Sequence, residues 1–140
     1  QGDEPFINRL SIEELLNGFN DKKVQMASLM RDFKDKNELN DSNNVKVIVD
    51  KDNYSINFSR VPMNSYSDNY KHIGVYAFRK ETLIEFSKME KTMMEKMEKI
   101  ECLRYIENGK KIKMFKTDFS TISIDTPEDL IRAEEYLKRQ

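Results

Sequence analysis

Two aspartates of this chain occupy similar corners, each with a proline two residues later and a helical pattern beyond it. Asp3 precedes Pro5, and Asp125 precedes Pro127. Proteins usually bind Mg²⁺ through one or two carboxylates, while substrate phosphates and water complete the coordination. Asp3 and Asp125 are therefore candidate ligands for a metal ion in a reaction on a phosphorylated substrate, provided that the fold brings the two corners side by side.

The corner at Asp125 also has a purely structural interpretation. Thr126 stands where a helix N-cap belongs and Pro127 at the first helical position, so the aspartate could simply finish the turn. On this corner alone, that interpretation is the commoner one. The alternating residues 121–124 nevertheless predict a strand that ends at Asp125, and ligands of open α/β sheets bind at the carboxyl ends of strands.

Hydrophobic periodicity predicts a mixture of helices and strands between these corners. Helical spacing marks residues 6–19, 79–89, 91–108 and the stretch from 127 onward, the last anchored through Leu130, Ile131, Ala133 and Leu137. Alternation typical of strands marks residues 24–30, 45–50, 54–59, 71–78 and 112–116. Residues 32–44 and 61–69 are polar loops, the first with one helical turn. The pattern indicates one α/β domain over residues 1–140.

The alternation also predicts which side chains share a face. In the hairpin formed by residues 45–59, Tyr54, Ile56 and Phe58 lie on one apolar side, which suits contact with another protein surface. The strand at residues 71–78 projects four residues to one side: His72, Gly74, Tyr76 and Phe78. Taken alone, His72 is typical of a structural histidine.

Composition excludes several classes of function. The 140 residues carry 24 Lys and Arg against 25 Asp and Glu, a net charge of −1, so no global attraction to nucleic acid or to an anionic membrane is expected. One Cys and one His cannot build a Cys/His metal cluster, and Cys102 has no internal disulfide partner, which favours a cytoplasmic protein. The four glycines are scattered, so neither phosphate-binding glycine pattern is present.

Five segments nevertheless form an ordered set. They are Gln1-Gly2-Asp3-Glu4-Pro5, residues 45–60, Lys71-His72-Ile73-Gly74-Val75-Tyr76, Glu101-Cys102-Leu103-Arg104 and Ile124-Asp125-Thr126-Pro127-Glu128-Asp129-Leu130. In this order they resemble the 3-deoxy-manno-octulosonate (Kdo) cytidylyltransferases, the CMP-Kdo synthetases. Together the five segments are specific, and they extend over essentially the whole chain.

The resemblance implies a Rossmann-like α/β nucleotidyltransferase fold of three layers with a β-hairpin dimerisation region. It implies an enzyme that joins Kdo to CTP and releases pyrophosphate, for lipopolysaccharide synthesis in the cytoplasm. CTP and Kdo are the implied substrates, Mg²⁺ is the implied cofactor, and a homodimer is the expected assembly. The N-terminal nucleotide-binding part of the family is missing here, so the fold is expected to be partial and the 140 residues alone inactive.

The resemblance also assigns roles to individual residues. Asp3 and Asp125 match the aspartates that hold the metal and are catalytic. The positions that match the sugar pocket are Gln1, Arg60, His72, Tyr76 and Glu101. An arginine can pair with the carboxylate of an acidic sugar, and the others offer hydrogen-bond partners to its hydroxyls. Cys102 departs from the family, which usually has Gln at this position.

Two alternatives remain open at this point. A CMP synthetase for another acidic sugar, such as a sialic acid relative, shares the requirement for Mg²⁺ and for an acidic sugar. The second alternative is not an enzyme but a truncated module that binds a sugar or forms a dimer.

Overall fold

The computed structural model describes residues 2, 4–63, 65, 68–119, 124 and 126–138. The elements follow one another as α1 (Arg9–Asn17), a 3₁₀ turn (Gly18–Asn20), β1 (Met26–Arg31), α2 (Lys36–Asn40), β2 (Lys46–Val49), β3 (Ser55–Ser59), β4 (Tyr70–Phe78), α3 (Lys80–Lys88), α4 (Met93–Glu98), α5 (Leu103–Glu107), β5 (Lys113–Lys116) and α6 (Pro127–Leu137). The mixed α/β character, the hairpin and the helical turn in the first loop are confirmed. No helix in these ranges is long and apolar enough to cross a bilayer.

One five-stranded sheet organises the molecule, with the order β3-β2-β4-β1-β5. The strand β1 pairs in parallel with β5 and antiparallel with β4, and the hairpin joins the sheet where β2 pairs with β4. All six residues of β1 are buried. Burial of every residue requires cover on both faces, so β1 is the centre of a layered structure.

An apolar cluster lies on each face of the sheet. The cluster on the side of α3 and α5, called the inner cluster below, contains Met26, Met30, Val47, Phe58, Ile100, Cys102, Leu103, Tyr105, Ile112 and Met114. The cluster on the side of α1 contains Leu15, Val24, Ala27, Leu29 and Ile73. Alternate residues of β1 contribute to opposite clusters, as the period of a strand requires.

The pairing of β1 with β4 is irregular at one place. Leu29 lies opposite Ile73 and Ser28 opposite Tyr76, so β4 has two extra residues, 74 and 75, at this point. An insertion of two residues bends the strand but preserves the alternation of its faces. His72 and Tyr76 therefore remain on the same face, and they lie opposite β1 residues that are only two positions apart.

The helix expected over residues 91–108 is interrupted in the structure. Lys99 adopts the left-handed conformation with φ of 56° and ends α4, and α5 begins again at Leu103. A residue with positive φ cannot continue a right-handed helix. The methionines of α4 and the residues Glu101 and Arg104 are consequently not aligned along one helical face.

The prediction that Tyr54, Ile56 and Phe58 share one apolar face of the hairpin is also wrong. Phe58 is completely buried in the inner cluster, whereas Ile56 is 52% exposed. The register shifts next to Ile48, where Asn57 pairs with Ile48 and Ser55 with Val49. Ile56 is thus the extra residue of a β-bulge, which breaks the period of two on which the prediction rested.

The last helix begins as expected but packs differently. The Thr126 side chain accepts a hydrogen bond from the backbone N–H of Asp129, and the Asp129 carboxylate accepts one from the backbone N–H of Thr126. Of the four residues expected to anchor α6, Ala133 is buried, but Leu130, Ile131 and Leu137 are about half exposed. Periodicity identifies an apolar stripe but not the area available to cover it. The strand expected at residues 121–124 lies largely outside the described residues.

Lys46 is a fully buried lysine at the start of the hairpin. Its ammonium group donates to three backbone carbonyl oxygens, those of Asp41 and Asn44 at 2.7 Å and that of Arg60 at 2.8 Å. Three acceptors match the three N–H donors of the group, which is what makes burial of the charge tolerable. Lys46 thereby ties the loop before β2 to the residue after β3.

We predict that Lys46→Met lowers the free energy of unfolding by about 2–4 kcal/mol, because three partly buried carbonyl groups lose a charged donor. The measurement is the urea midpoint at constant slope. Lys51→Met, on an exposed side chain of the hairpin turn, is the matched control and should change the free energy by less than about 0.5 kcal/mol. Equal midpoints for the two variants would contradict the proposed role of Lys46.

Candidate functional site

His72 lies at the inner face of β4, among residues of the sheet and the hairpin. Its ring meets Phe58 edge-on, with 5.1 Å between centroids, and its Nε2 atom lies 2.9 Å from the hydroxyl of Ser28. Burial lowers the pKa of His72 to about 3, so the imidazole is neutral at physiological pH. A neutral imidazole has one N–H donor and one acceptor nitrogen, which suits recognition of hydroxyl groups rather than of charge.

Tyr76, another of the expected sugar-binding residues, is in contact with His72. The two ring centroids are 5.4 Å apart. Residues four positions apart in a regular strand are separated by roughly 13 Å, so this contact reflects the inserted residues 74 and 75. Tyr76 also makes a hydrogen bond with the thiol of Cys102, although burial dominates and raises the pKa of Cys102 to about 12. Cys102, at the position where the resemblance predicts Gln, is therefore a neutral thiol beside Tyr76.

Arg60 follows β3 and is held in place at several points. Its Nε atom donates to the carbonyl oxygen of Glu98 at 2.9 Å, and Nη1 donates to that of Ser42 at 3.0 Å. Its backbone N–H donates to the carboxylate of Glu98. The guanidinium group is thus not a freely moving surface charge but a cation in a fixed place, two residues after Phe58.

Glu101 is exposed in the short connection between α4 and α5. Its carboxylate lies 3.8 Å from Arg104, whose guanidinium forms a buried two-point ion pair with Glu95 at 2.8 and 2.6 Å. The same guanidinium stacks over the ring of Phe86 at 5.0 Å. Sequence reasoning gave no role to Glu95, because no periodic signal links two residues that are nine positions apart on different helices.

Of the four described candidates, His72 and Tyr76 are in direct contact, whereas Arg60 and Glu101 are linked to that contact only through their neighbours along the chain. Phe58 connects that contact to Arg60, and Cys102 connects it to Glu101. A surface concavity of about 340 Å³ lies beside Glu101 and does not include the other three candidates. It is lined by Lys91, Glu95, Lys96, Lys99 and Glu101. Three lysines and two glutamates give this lining a net charge of +1, and one of the glutamates is the candidate Glu101.

The three remaining candidates, Gln1, Asp3 and Asp125, lie outside the described residues. Among the residues that are described, no group of three His, Cys, Asp or Glu side chains could hold a metal ion. Glu4, next to Asp3, is buried and close enough to Lys71 to raise its pKa, although burial lowers that pKa more strongly. Lys71 pairs with Arg31 at the carboxyl end of β1, so Glu4 lies near the end of a strand at which ligands of open α/β sheets commonly bind.

A partly buried ion network that the sequence did not reveal stabilises this end of the sheet. The Glu38 carboxylate accepts hydrogen bonds from both terminal nitrogens of Arg31, from Lys71 at 3.2 Å and from the backbone N–H of Lys34 at 2.9 Å. Burial acts to raise the pKa of Glu38, but these donors outweigh it and lower the pKa to about 2. The network joins α2 to the adjoining ends of β1 and β4.

We predict that acid destabilises the fold through His72 before the carboxylates contribute. The pKa of this group falls from its ordinary 6.5 to about 3 on folding, so below pH 6.5 the unfolded chain binds a proton that the folded chain does not. The contribution of neutral His72 to the free energy of unfolding is fully present above pH 6.5. It decreases as the pH falls, by up to about 1.4 kcal/mol per pH unit. Glu38 adds its own loss only below its ordinary value of 4.5.

The measurement is the urea midpoint between pH 6.5 and 4.5 for the unaltered chain and for His72→Gln, whose side chain is neutral throughout. The slope should largely disappear in the variant. An unchanged slope would show that other groups carry the pH dependence.

Comparison with known proteins gives a consistent result. The chain is 44% identical over 146 residues to a 3-deoxy-manno-octulosonate cytidylyltransferase of Christiangramia forsetii, covering 98% of this chain and 59% of the relative. It is also 44% identical over 147 residues to the enzyme of the same name from Flavobacterium johnsoniae, covering 99% of this chain and 60% of the relative. The chain thus spans about three-fifths of the length of these relatives.

A solved structure of a CMP:2-keto-3-deoxy-manno-octonic acid synthetase in complex with CTP matches the fold with a TM-score of 0.88 and 30% identity, over 99% of this chain and 60% of that one. The sheet and helices described above therefore form part of a nucleotidyltransferase fold, as expected. The sequence profile of the family described as cytidylyltransferase matches residues 1–112. The chain belongs to the cytidylyltransferase family.

Proposed function

We propose that the protein containing this chain transfers the cytidylyl group of CTP to Kdo. In this reaction the anomeric oxygen of the sugar forms a bond to the α-phosphorus, the bond to pyrophosphate breaks, and the hydroxyl proton is released. The product, CMP-Kdo, is the activated sugar for lipopolysaccharide synthesis. The proposal is supported by the contact between His72 and Tyr76, two of the expected sugar-binding residues, in a chain 44% identical to a named Kdo cytidylyltransferase.

Each described residue has a role in binding the sugar under this proposal. Arg60 is a fixed cation and pairs with the sugar carboxylate, because an arginine fork matches a carboxylate. His72 and Tyr76 contact sugar hydroxyls, and Glu101 accepts from another hydroxyl. His72 is neutral in this role. A protonated His72 would add a second fixed cation to Arg60, and the two together would favour an anion other than the sugar carboxylate. Gln1 completes the set by the resemblance alone.

Mg²⁺ is the proposed cofactor, with Asp3 and Asp125 as its ligands. The donor chemistry fits, because both are carboxylates and the ion prefers oxygen ligands. When bound, the ion orients the phosphates and stabilises the charge that develops on them. The chain's own residues bind the sugar and hold its hydroxyl toward the phosphate. We further propose that the reaction takes place in the cytoplasm, in agreement with the buried free thiol of Cys102.

The test is release of pyrophosphate by the full-length protein with CTP, Mg²⁺ and Kdo. Asp125→Asn should lower kcat more than about 100-fold, because loss of a metal ligand removes several kcal/mol of stabilisation of the transition state. Asp52→Asn, in the exposed hairpin turn, is the matched control and should retain full activity. We also expect EDTA to abolish the reaction and added Mg²⁺ to restore it. Activity that survives Asp125→Asn would contradict the proposal for this residue.

The choice of sugar is decided in the same assay. N-acetylneuraminate should replace Kdo poorly; equal or better turnover with it would favour the alternative, a CMP synthetase for a sialic acid relative. We expect the 140 residues alone to release no pyrophosphate. If the full-length protein also releases none but binds Kdo, the proposal of a sugar-binding module replaces that of an enzyme.

We propose a homodimer that uses the hairpin and the neighbouring helix α4. Ile56 in the bulge of β3, and Met93 and Met97 on α4, are large apolar side chains that are mostly or half exposed. Exposed apolar side chains of this kind are typical of surfaces that another chain covers. Phe58 is excluded from this surface, because it belongs to the inner cluster.

Sedimentation tests the dimer directly. Ile56→Asp combined with Met97→Asp should convert it to a monomer, since a buried charge at a contact costs several kcal/mol. Leu10→Asp, at a similarly exposed apolar position on α1, is the control and should remain dimeric. Dissociation caused equally by both changes would place the contact elsewhere.

A further inference from the structure

Ser28 lies at the centre of β1, directly opposite Tyr76 and beside the two inserted residues of β4. It is completely buried, and it belongs to no motif that the sequence singled out. A buried serine at the irregular part of the ladder has an evident structural use, because carbonyl groups at a bulge lose their regular partners. Its contacts indicate a second use.

The hydroxyl of Ser28 has three polar neighbours. The Val75 carbonyl oxygen lies at 2.8 Å, the His72 Nε2 atom at 2.9 Å and the Ile73 carbonyl oxygen at 3.3 Å. A serine hydroxyl has one proton to donate and two lone pairs that accept. A carbonyl oxygen can only accept, so the proton of Ser28 is used most effectively toward Val75, the nearest acceptor.

The direction of the bond to His72 follows from this assignment. With its proton directed to Val75, the hydroxyl can only accept from His72, so Nε2 must be the protonated nitrogen. In the opposite arrangement Ser28 would donate to Nε2, and its lone pairs would face the Val75 carbonyl oxygen at 2.8 Å. An oxygen–oxygen contact of this length without a proton, in a buried place, is strongly unfavourable.

We infer that Ser28 is a positioning residue that holds His72 as the Nε2-protonated tautomer and leaves Nδ1 as an acceptor for a sugar hydroxyl. The inference rests on the proposed function for the identity of the ligand, but not for the tautomer itself. The ring is neutral, as its burial requires, so it carries one proton and that proton is committed to Ser28.

This arrangement has a consequence for specificity. An acceptor nitrogen binds a group that can donate, such as a hydroxyl, and disfavours groups that can only accept, such as a keto or carboxylate oxygen. Together with Arg60, which follows the His72 neighbour Phe58 by two residues and attracts carboxylates, such an acceptor would direct the carboxylate of an acidic sugar to the arginine and a hydroxyl to His72. Ser28 would thus help to orient the sugar without touching it.

The tautomer is measured by ¹⁵N–¹H correlation spectra of the imidazole in the full-length protein, with the His72 signals assigned by their loss in His72→Gln. The unaltered protein should show a protonated Nε2 and an unprotonated Nδ1, and the reverse pattern would overturn the inference by itself. In Ser28→Ala the Nε2 form should lose its dominance. Ser28→Thr, which keeps a hydroxyl, should retain it. Ser11→Ala, which removes a buried hydroxyl bonded to Thr117, is the control and should not change the spectrum.

Kinetics test the second half of the inference. Ser28→Ala should raise the KM for Kdo by about 3–10-fold, the value of one neutral hydrogen bond, and leave the KM for CTP unchanged. An altered tautomer with an unchanged KM for Kdo would overturn the sugar contact and leave the tautomer assignment confirmed. An Nε2 form that persists in Ser28→Ala would overturn the role of Ser28. If the protein does not use Kdo at all, the spectra still decide the tautomer, so that failure is distinguishable.

Discussion

The pairing of β1 with β4 is the constraint on which the candidate site depends. A regular ladder would separate His72 from Tyr76 by the length of four residues, but the two extra residues in β4 bring their rings to 5.4 Å. Because the insertion is of two residues, both side chains still face the inner cluster. The hydroxyl of Ser28 contacts the carbonyl oxygens of Ile73 and Val75 at this irregularity and the Nε2 atom of His72. The same side chain therefore stabilises both the bulge and the histidine.

Buried charges hold the segments around this pair. Lys46 fixes the loop before β2 and the backbone of Arg60, and the ion pair of Glu95 with Arg104 joins α4 to α5 beside Glu101. A buried charge is tolerated only when its partners are complete, so each of these contacts permits few alternative geometries. Arg60 and Glu101 thus occupy connections whose positions are set by polar contacts, whereas His72 and Tyr76 are held by strand β4.

The sequence predicted those features that depend on local pattern. The hairpin, the order of elements and the N-cap at Thr126 follow from alternation, helical spacing and capping chemistry. The break at Lys99 and the bulge at Ile56 carry no such signal, because lysine and isoleucine ordinarily suit the helix and the strand that they interrupt. Gly74 was a usable signal for the bulge in β4, since a glycine within a strand often marks one. The role of Ser28 could not be predicted, because it depends on a contact between distant strands.

The central claim is that the residues around the contact between His72 and Tyr76 bind the acidic sugar. The most direct measurement is a titration with Kdo, monitored by the imidazole signals of His72, in the CTP-bound Asp125→Asn protein to prevent turnover. The account predicts a saturable change in the Nδ1 signal that is absent when Tyr76→Phe and Arg60→Met are combined. Unchanged His72 signals at a Kdo concentration that saturates the protein would contradict it.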